Sequence, residues 1–432
     1  MADLQDELTA PAEAGDLEAA RPTTADLARP TPAGHVPADA GNAPPTPVDP
    51  TSAAPTPTPA GHVPADAGNT GTAPTPAGHV PADADNAPTP ADPTPADPTP
   101  ASPTPAALTP PHDLLTRHPV ADGYCGLPQV LRALPWYDLE LGESAVEADL
   151  PRLRAGGTGA QLWAPHVAPD APLATTLEQI DLITNVVSRH PEDLRLSRSA
   201  SDTADARAHG RIAVLIGPAP AMAAADSLGT LRSLHALGLR ALTLSGTSWA
   251  SEAGLTRFGE EVVREMNRLG MLIDLTGASA ATAARVLAVS KAPVALTRSG
   301  AHALNHHPDN APDDLLAALG DSRGLCLVPC SADRTGPALR DVADHVDHVR
   351  RLAGPEAVGL SGTYDTGEAR PEDLTDVAGY PALIAELQDR GWTDADLALL
   401  TWGNVQRVLR STEFVSRAAQ QRRGPSTATH EP

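Results

Sequence analysis

Several histidine side chains in the C-terminal half have the type and spacing that metal binding requires. His302, His306 and His307 form one cluster, and His345 and His348 lie three residues apart. Imidazole nitrogens bind zinc and related metals, so both groups are candidate ligand sets. A helix places residues i and i+3 on one face, and we interpret His345 and His348 as structural. No carboxylate or second strand clearly converges on the first cluster, where a metal site stays an alternative.

Cys125 is a candidate nucleophile, because a thiolate attacks electrophilic carbon when a nearby base lowers the thiol pKa. His302 is the candidate base. Buried, unreactive thiols are commoner in proteins, and the sequence favours an inert Cys125. With Cys326 and Cys330 the chain has three cysteines and no CxxC pair, which indicates a reducing cytoplasm.

Alternating strands and helices between residues 112 and 412 must position these side chains. Short apolar runs predict eight strands, near residues 119–122, 160–164, 212–217, 241–245, 272–275, 294–297, 325–328 and 358–360. Helical patterns lie between them, for example over residues 173–188, 257–269 and 339–352. The alternation predicts a (β/α)8 TIM barrel, whose working residues stand at the carboxyl ends of the strands.

Proline dominates the first quarter of the chain, residues 1–111. Most of the 46 prolines lie there, and a segment around Gly34-His35-Val36 recurs around His62 and again around His79. We expect a disordered acidic tail, because proline removes donors and almost nothing apolar is available to bury. The three repeated histidines are too far apart along the chain to converge on a metal at low entropic cost. Residues 413–432 are expected to form a second disordered tail.

The balance of charge excludes some partners. A formal charge of -23 argues against nucleic acid, since phosphate contacts need clustered basic residues. No run of 18 apolar residues occurs, and the acidic N-terminus lacks the apolar core of a signal peptide. We therefore expect a cytoplasmic protein without a membrane span.

Residues 112–412 contain many ordered segments of distinctive sequence, namely 149–157 with 159–161, 258–275, 310–314, 342–349, 358–360, 403–404 and 407–409. In these segments the chain resembles the membrane (renal) dipeptidase family, zinc-dependent barrels of the metal-dependent hydrolase type that cleave dipeptides. The resemblance implies two zinc ions, held by a His-x-Asp after the first strand, a Glu after the third, and one His after each of the fifth and sixth.

This sequence departs from the implied pattern at every metal position and at three others. The ligand positions hold Tyr124, Gly126, Ala219, Gly277 and Arg298. Glycine and alanine side chains offer zinc no lone pair, and arginine adds a permanent positive charge. The positions that the resemblance assigns to substrate contacts and the proton shuttle hold Gly246, Asp309 and Thr363. We expect no zinc cofactor and no dipeptide hydrolysis by the family mechanism.

Asp122 and Asp365 remain at strand ends, where the simpler interpretation makes them loop-capping acids. A sharper hypothesis pairs Arg298 with one of them, the guanidinium replacing the charge of zinc. The favoured role is noncatalytic, with an unknown small ligand or a protein partner. The resemblance implies a homodimer or a heteromer with an active paralogue. Two alternatives stay open, an active peptide hydrolase with a different site and a scaffold that recruits partners through its Pro-rich tail.

Overall fold

Eight parallel strands form the centre of the computed structural model, which describes residues 108–142, 145–166 and 173–431. In chain order the barrel strands are Val120–Cys125, Thr158–Trp163, Ile212–Ile216, Ala241–Thr243, Leu272–Asp274, Val294–Leu296, Leu325–Pro329 and Val358–Ser361. Each overlaps one of the eight predicted strands, so the predicted (β/α)8 fold is confirmed. The Pro-rich tail lies outside the described residues up to residue 107.

Parallel pairing runs in order around the sheet. Strands one to three form one parallel set and strands four to eight another. Two bridges join the sets, one between Ile216 and Leu239 and one between Cys125 and Tyr364. The barrel is therefore closed, and all eight carboxyl ends meet at one rim, which we call the mouth. Four short strands are described besides these eight. Leu194–Leu196 pairs in parallel with the third barrel strand and Ala219–Pro220 with the fourth, whereas Ala250–Ser251 and Gly254–Leu255 pair with each other.

Helices surround the sheet and cover its outer face. The described α-helices are Pro111–Arg117, Leu127–Ala133, Leu150–Ala155, Leu173–Arg189, Ala200–Ala208, Leu228–Leu237, Arg257–Leu269, Ala280–Val289, Asp313–Asp321, Ala332–Thr335, Leu339–Ala353, Tyr380–Asp389, Asp394–Ala398 and Asn404–Arg422. Several begin at a side-chain cap; Ser227, Thr256 and Ser279 each accept a hydrogen bond from the amide three residues later. Short 3-10 segments cover Ala221–Ala224, Pro355–Ala357 and Val377–Gly379, and a π-helical turn covers Leu399–Gly403. None of the described helices is long and apolar enough to span a membrane.

Two carboxylates lie inside the barrel, where both faces of the strands are buried. Asp122 accepts hydrogen bonds from the Gln161 side chain at 2.8 Å and from the Gly362 amide at 2.6 Å. Asp274 accepts from Thr243 Oγ1 at 2.6 Å and from the Thr297 amide at 2.8 Å. Buried carboxylates need such donors, and these bonds fix the ends of neighbouring strands against one another. Burial raises the pKa of Asp122.

The chain beyond residue 412 is ordered, and the expectation of a disordered tail over residues 413–432 is wrong for the described part. Helix Asn404–Arg422 continues through the boundary, with Thr412 and Ser416 buried against the barrel. Beyond it, Ser426 donates to Glu261 at 2.8 Å, and His430 lies 3.1 Å from Ser248 Oγ. The many arginines and glutamines of this segment obscured a narrow buried stripe at helical spacing.

Candidate functional site at the barrel mouth

Tyr124 and Arg298 stack on each other at the mouth. Tyr124 belongs to the first strand, and the Arg298 guanidinium lies 4.3 Å from the centre of its ring. The Tyr124 hydroxyl lies 3.2 Å from Nδ1 of His166, which follows the second strand. A guanidinium over an aromatic face is attracted by the negative ring surface. Burial raises the pKa of Tyr124 and lowers the pKa of His166, and the charge of Arg298 lowers both.

Arg298 forms no ion pair with any residue that the structure describes. Its Nε is buried without an acceptor, and the backbone amide donates weakly to Thr276 Oγ1 at 3.3 Å. Burial alone would lower the pKa of Arg298, but the charges of Tyr124, Asp274 and Asp309 raise it overall. The guanidinium is thus a lone cation held by an aromatic ring and by the field of carboxylates that it does not touch.

The hypothesis that Arg298 pairs with Asp122 or Asp365 is wrong. Asp122 is satisfied by the amide and side-chain donors described above, inside the barrel. Asp365 is bound to Glu147 instead, through two reciprocal bonds: the Glu147 amide donates to Asp365 at 2.8 Å, and the Asp365 amide donates to Glu147 at 2.6 Å. Both acids hold loops, as the simpler interpretation predicted, because backbone amides were nearer than any cation.

A second arginine, Arg334, carries the ion pairs of the mouth. Its guanidinium binds Asp309 at 2.8 Å and Glu368 at 2.8 Å, and it donates to the Arg298 carbonyl at 3.2 Å. Its side chain is 7% exposed, so it is almost fully withdrawn from water. Burial would raise the pKa of Glu368, but hydrogen bonds from Arg334 lower it overall. The buried cation and its two carboxylates compensate each other's charge.

Neighbouring groups occupy the space beside both glycines that stand where the resemblance implies metal ligands. At Gly277, whose φ is +70°, an added Cβ would lie 2.7 Å from Asp309 Oδ1. At Gly126, an added Cβ would overlap the carbonyl oxygen of Asp365. Ala219 is fully buried. A larger side chain at Gly126 or Gly277 would therefore require the Asp365 carbonyl or the Asp309 side chain to move.

The loop after the eighth strand is braced by a third arginine. Thr363 and Asp365 have φ of +50° and +60°, a conformation that non-glycine residues rarely adopt. Arg370 donates to the Thr363 carbonyl at 2.7 Å and binds Glu147 at 2.8 Å. Burial is the main cause that raises the pKa of Asp365 to about 7, with the charge of Glu147 acting in the same direction; the hydrogen bond from the Glu147 amide and the charge of Arg370 oppose the rise.

The remaining candidates are not brought together. Cys125 is fully buried and its pKa is raised well above the usual value, first by burial and then by the charge of Asp365. His302 makes no described contact with Cys125; its ring lies 4.7 Å from that of His306. His307 accepts from the Asp309 amide at 3.1 Å. His302 is therefore not a base for Cys125, whose thiol instead donates to Asp365 Oδ2 at 3.9 Å.

His345 and His348 lie on helix Leu339–Ala353, as the spacing predicted. His345 accepts from the Ala301 amide at 2.8 Å, and burial lowers its pKa to about 4. His348 lies 2.8 Å from Asp313. Gly246, where the resemblance implies a substrate contact, has a φ of +72°. At the implied proton-shuttle position, the Thr363 hydroxyl donates to the Gly362 carbonyl at 2.7 Å.

The residues at the mouth do not fit a pair of zinc ions. The five ligand positions hold a phenol whose pKa is raised, two glycines, one alanine and one guanidinium. Zinc needs imidazole, carboxylate or thiolate donors in fixed geometry. Among the described residues, no group of three or more His, Cys, Asp or Glu side chains could hold a metal ion. We derive no chemical step through a metal.

Sequence reasoning missed the residues that organise this site. Glu147, Glu368 and Arg370 lie in loops and Arg334 lies in the short helix Ala332–Thr335, and their pairing depends on how these segments fold over the strand ends. One signal was present in the sequence. The segment after the seventh strand, Ser331-Ala332-Asp333-Arg334, brings an arginine to the mouth that needs carboxylate partners.

The fold is shared with solved hydrolase barrels. An amidohydrolase from Pseudomonas aeruginosa superposes with a TM-score of 0.62 and 23% sequence identity, over 70% of this chain and 98% of that one. A metallopeptidase from Rhodobacter sphaeroides, solved with a phosphinate mimic of a dipeptide, gives a TM-score of 0.61 at 23% identity, over 68% and 99%. These likenesses show that the chain shares the barrel fold of these two structures.

Residues 109–423 match the family model of membrane dipeptidase, peptidase family M19, and the chain belongs to that family. Human dipeptidase 3 is 39% identical over 329 residues, which are 70% of this chain and 67% of the human protein. Mouse dipeptidase 3 is 38% identical, and this chain spans 66% of its length. The dipeptidase verJ of Clonostachys rogersoniana is 34% identical over 337 residues, 70% of this chain and 86% of that protein.

Proposed function

We propose that this chain does not hydrolyse dipeptides by the two-metal chemistry of its family and acts instead by binding a small ligand or a protein partner. The observation that carries the proposal is the stack of Arg298 on Tyr124. Both residues stand where the family resemblance implies metal ligands. A guanidinium keeps its charge at every physiological pH and repels a divalent cation at close range.

The neighbouring charges support the same conclusion. Asp309, at a position where the resemblance implies a substrate-binding arginine, has the opposite charge and is held by Arg334. The proton-shuttle position is Thr363, whose hydroxyl cannot act as a general base near neutral pH. Metal, base and substrate clamp are thus replaced together, which leaves no group to activate water or to orient a peptide.

An active dipeptidase remains the second candidate, because the relatives reported above carry that name. Metal analysis of the purified full-length chain, combined with dipeptide hydrolysis measured beside an active relative, separates the two. We expect substoichiometric zinc and no turnover above background. Stoichiometric zinc together with turnover would overturn the proposal.

Partners and place in the cell are further parts of the proposal. The chain would work in the cytoplasm, as a homodimer or as a heteromer with an active paralogue, without zinc, nucleic acid or membrane. Light scattering of the full-length chain, alone and mixed with an active paralogue, tests the assembly. A scaffold that acts through residues 1–111, which the structure describes only from Leu108, is tested by deleting that tail and following complex formation.

A further inference from the structure

The face of the barrel opposite the mouth carries two adjoining grooves along the last helix, Asn404–Arg422. One has a volume of about 810 Å³ and the other about 440 Å³, and they share Lys291, Phe414 and Val415. Lys291 precedes the sixth strand and Arg323, which lines the larger groove, precedes the seventh. These positions belong to the amino ends of the strands. We call the pair of grooves the basic groove.

Several positively charged side chains without an ion-pair partner line the basic groove. Of its lining cations, Arg264, Arg323 and Arg423 form ion pairs with glutamates. Four others form none with any described residue: Lys291, Arg410, Arg417 and Arg422. Among the residues that the structure describes, Glu413 is the one carboxylate that lines either groove, and it accepts from the Ala200 amide at 2.5 Å.

Cations without an ion pair also occur elsewhere among the described residues, for example Arg189 and Arg340, but the basic groove brings four of them to one concave surface of a chain whose formal charge is -23. The helix dipole accounts for Arg422, the last helical residue, but not for Arg410 or Arg417, which lie earlier in the helix. Lys291 lies on a separate loop and adds its charge to the same groove.

An apolar anchor lies among the cations. Phe414 is 68% exposed, and it follows Arg410 by four residues and precedes Arg417 by three, so the three share one helix face. Val415 and Ala418 line the groove beside it, with Val289 across from them. A large exposed aromatic ring beside unpaired arginines has the composition of a protein-binding hot spot.

We propose that the basic groove binds an acidic protein segment that carries apolar anchor residues. Carboxylates of that segment would meet the four unpaired cations, and a leucine or aromatic side chain would pack on Phe414 and Val415. A concave, two-lobed groove fits an inserted helix or strand better than it fits a flat lipid surface. The proposal concerns a face remote from the mouth, and it holds whether or not the mouth hydrolyses anything.

The test uses the full-length chain and a fluorescent peptide of about twenty residues, in which leucines are spaced to lie on one face of a helix and glutamates on the other. A peptide with lysine in place of glutamate is the control. We expect micromolar binding of the acidic peptide only, weakened about tenfold when the salt is raised from low to physiological strength. Failure of the acidic peptide to bind at about millimolar concentration, or equal binding of both peptides, overturns the proposal.

Variants locate the binding. The double variant Arg410→Ser, Arg417→Ser and the single variant Phe414→Ser should each weaken binding about tenfold or more. Arg189→Ser with Arg340→Ser removes the same charge at exposed positions outside the groove and should leave binding unchanged. An unaffected Phe414→Ser variant would mean attraction by charge alone and contradict the anchor. Binding to anionic phospholipid vesicles without peptide binding would contradict a protein partner.

Discussion

The carboxylate of Asp309 occupies the space that a side chain at Gly277 would need. A Cβ built on Gly277 would lie 2.7 Å from Asp309 Oδ1, closer than real side chains approach. The family resemblance implies a metal-binding histidine at 277 and an arginine at 309. This chain has glycine at 277 and an aspartate at 309, whose side chain fills the space beside Gly277 and has Arg334 as its partner.

Restoring the histidine alone should therefore destabilise the protein. Gly277→His must overcome both the contact with Asp309 and the left-handed backbone, whose φ is +70°. We expect a loss of about 2–4 kcal/mol in the free energy of unfolding, measured by urea denaturation.

The double variant Gly277→His, Asp309→Ala separates the two causes. It should recover the part of the loss that comes from the contact and not the part that comes from φ. The loss of unfolding free energy in Gly277→Ala measures the cost of the left-handed backbone together with the contact between one methyl group and Asp309. Additive effects of Gly277→His and Asp309→Ala would contradict the claim that the two positions compete for space.

Removing Arg334 should be costly, because two partly buried carboxylates would lose their cation. We expect Arg334→Met to lower the free energy of unfolding by about 3–5 kcal/mol. A triple change that adds Asp309→Asn and Glu368→Gln removes the uncompensated charges and should regain much of that loss. Thermal unfolding monitored by circular dichroism measures both. If Arg334→Met unfolds at the same temperature as the wild type, the ion pairs of Arg334 with Asp309 and Glu368 do not contribute to stability.

Arg298 should stabilise the mouth through Tyr124. Arg298→Met keeps the length of the side chain and removes the charge, and we expect a loss of about 1–2 kcal/mol. Tyr124→Leu should cost more, because a fully buried ring is lost. In a double-mutant cycle the two changes should couple by about 0.5–2 kcal/mol. Arg189→Met, at an exposed position on another helix, is the matched control. A coupling energy of zero would show that the stack contributes nothing.

Asp365 should make stability depend on pH near neutrality. Its pKa is about 7 in the folded chain against 3.8 for an ordinary aspartate, so the folded state holds the proton more tightly. The stabilisation that comes from this proton is complete below pH 3.8. It is lost as the pH rises through about 7, and it does not change further at higher pH. The difference in unfolding free energy between the wild type and Asp365→Asn, measured from pH 5 to 9, should show this fall.

Glu147→Gln provides the companion measurement, since the charge of Glu147 raises the pKa of Asp365. Its removal should move the midpoint of the fall to lower pH. A difference curve that is flat between pH 5 and 9 would contradict the assignment of the shift to Asp365.

The barrel was predictable because its strands are buried on both faces and read as apolar runs. The predicted strand over residues 358–360 became Val358–Ser361, and the predicted helix over residues 257–269 has those bounds. The prediction that Gly277 and Arg298 supply no metal ligand also rests on residue types alone. Which carboxylate meets which arginine was not predictable, because Asp309 and Glu368 come from two loops and Arg334 from a short helix, and only the closed fold determines how these three segments approach one another.

The central claim is that this mouth holds no metal capable of activating water. The most direct measurement is dipeptide turnover by the full-length chain after addition of excess zinc, beside an active relative under the same conditions. We predict a rate indistinguishable from that of the buffer with zinc, and no saturable zinc uptake by calorimetry. Turnover that rises with zinc occupancy and saturates with dipeptide would contradict the account.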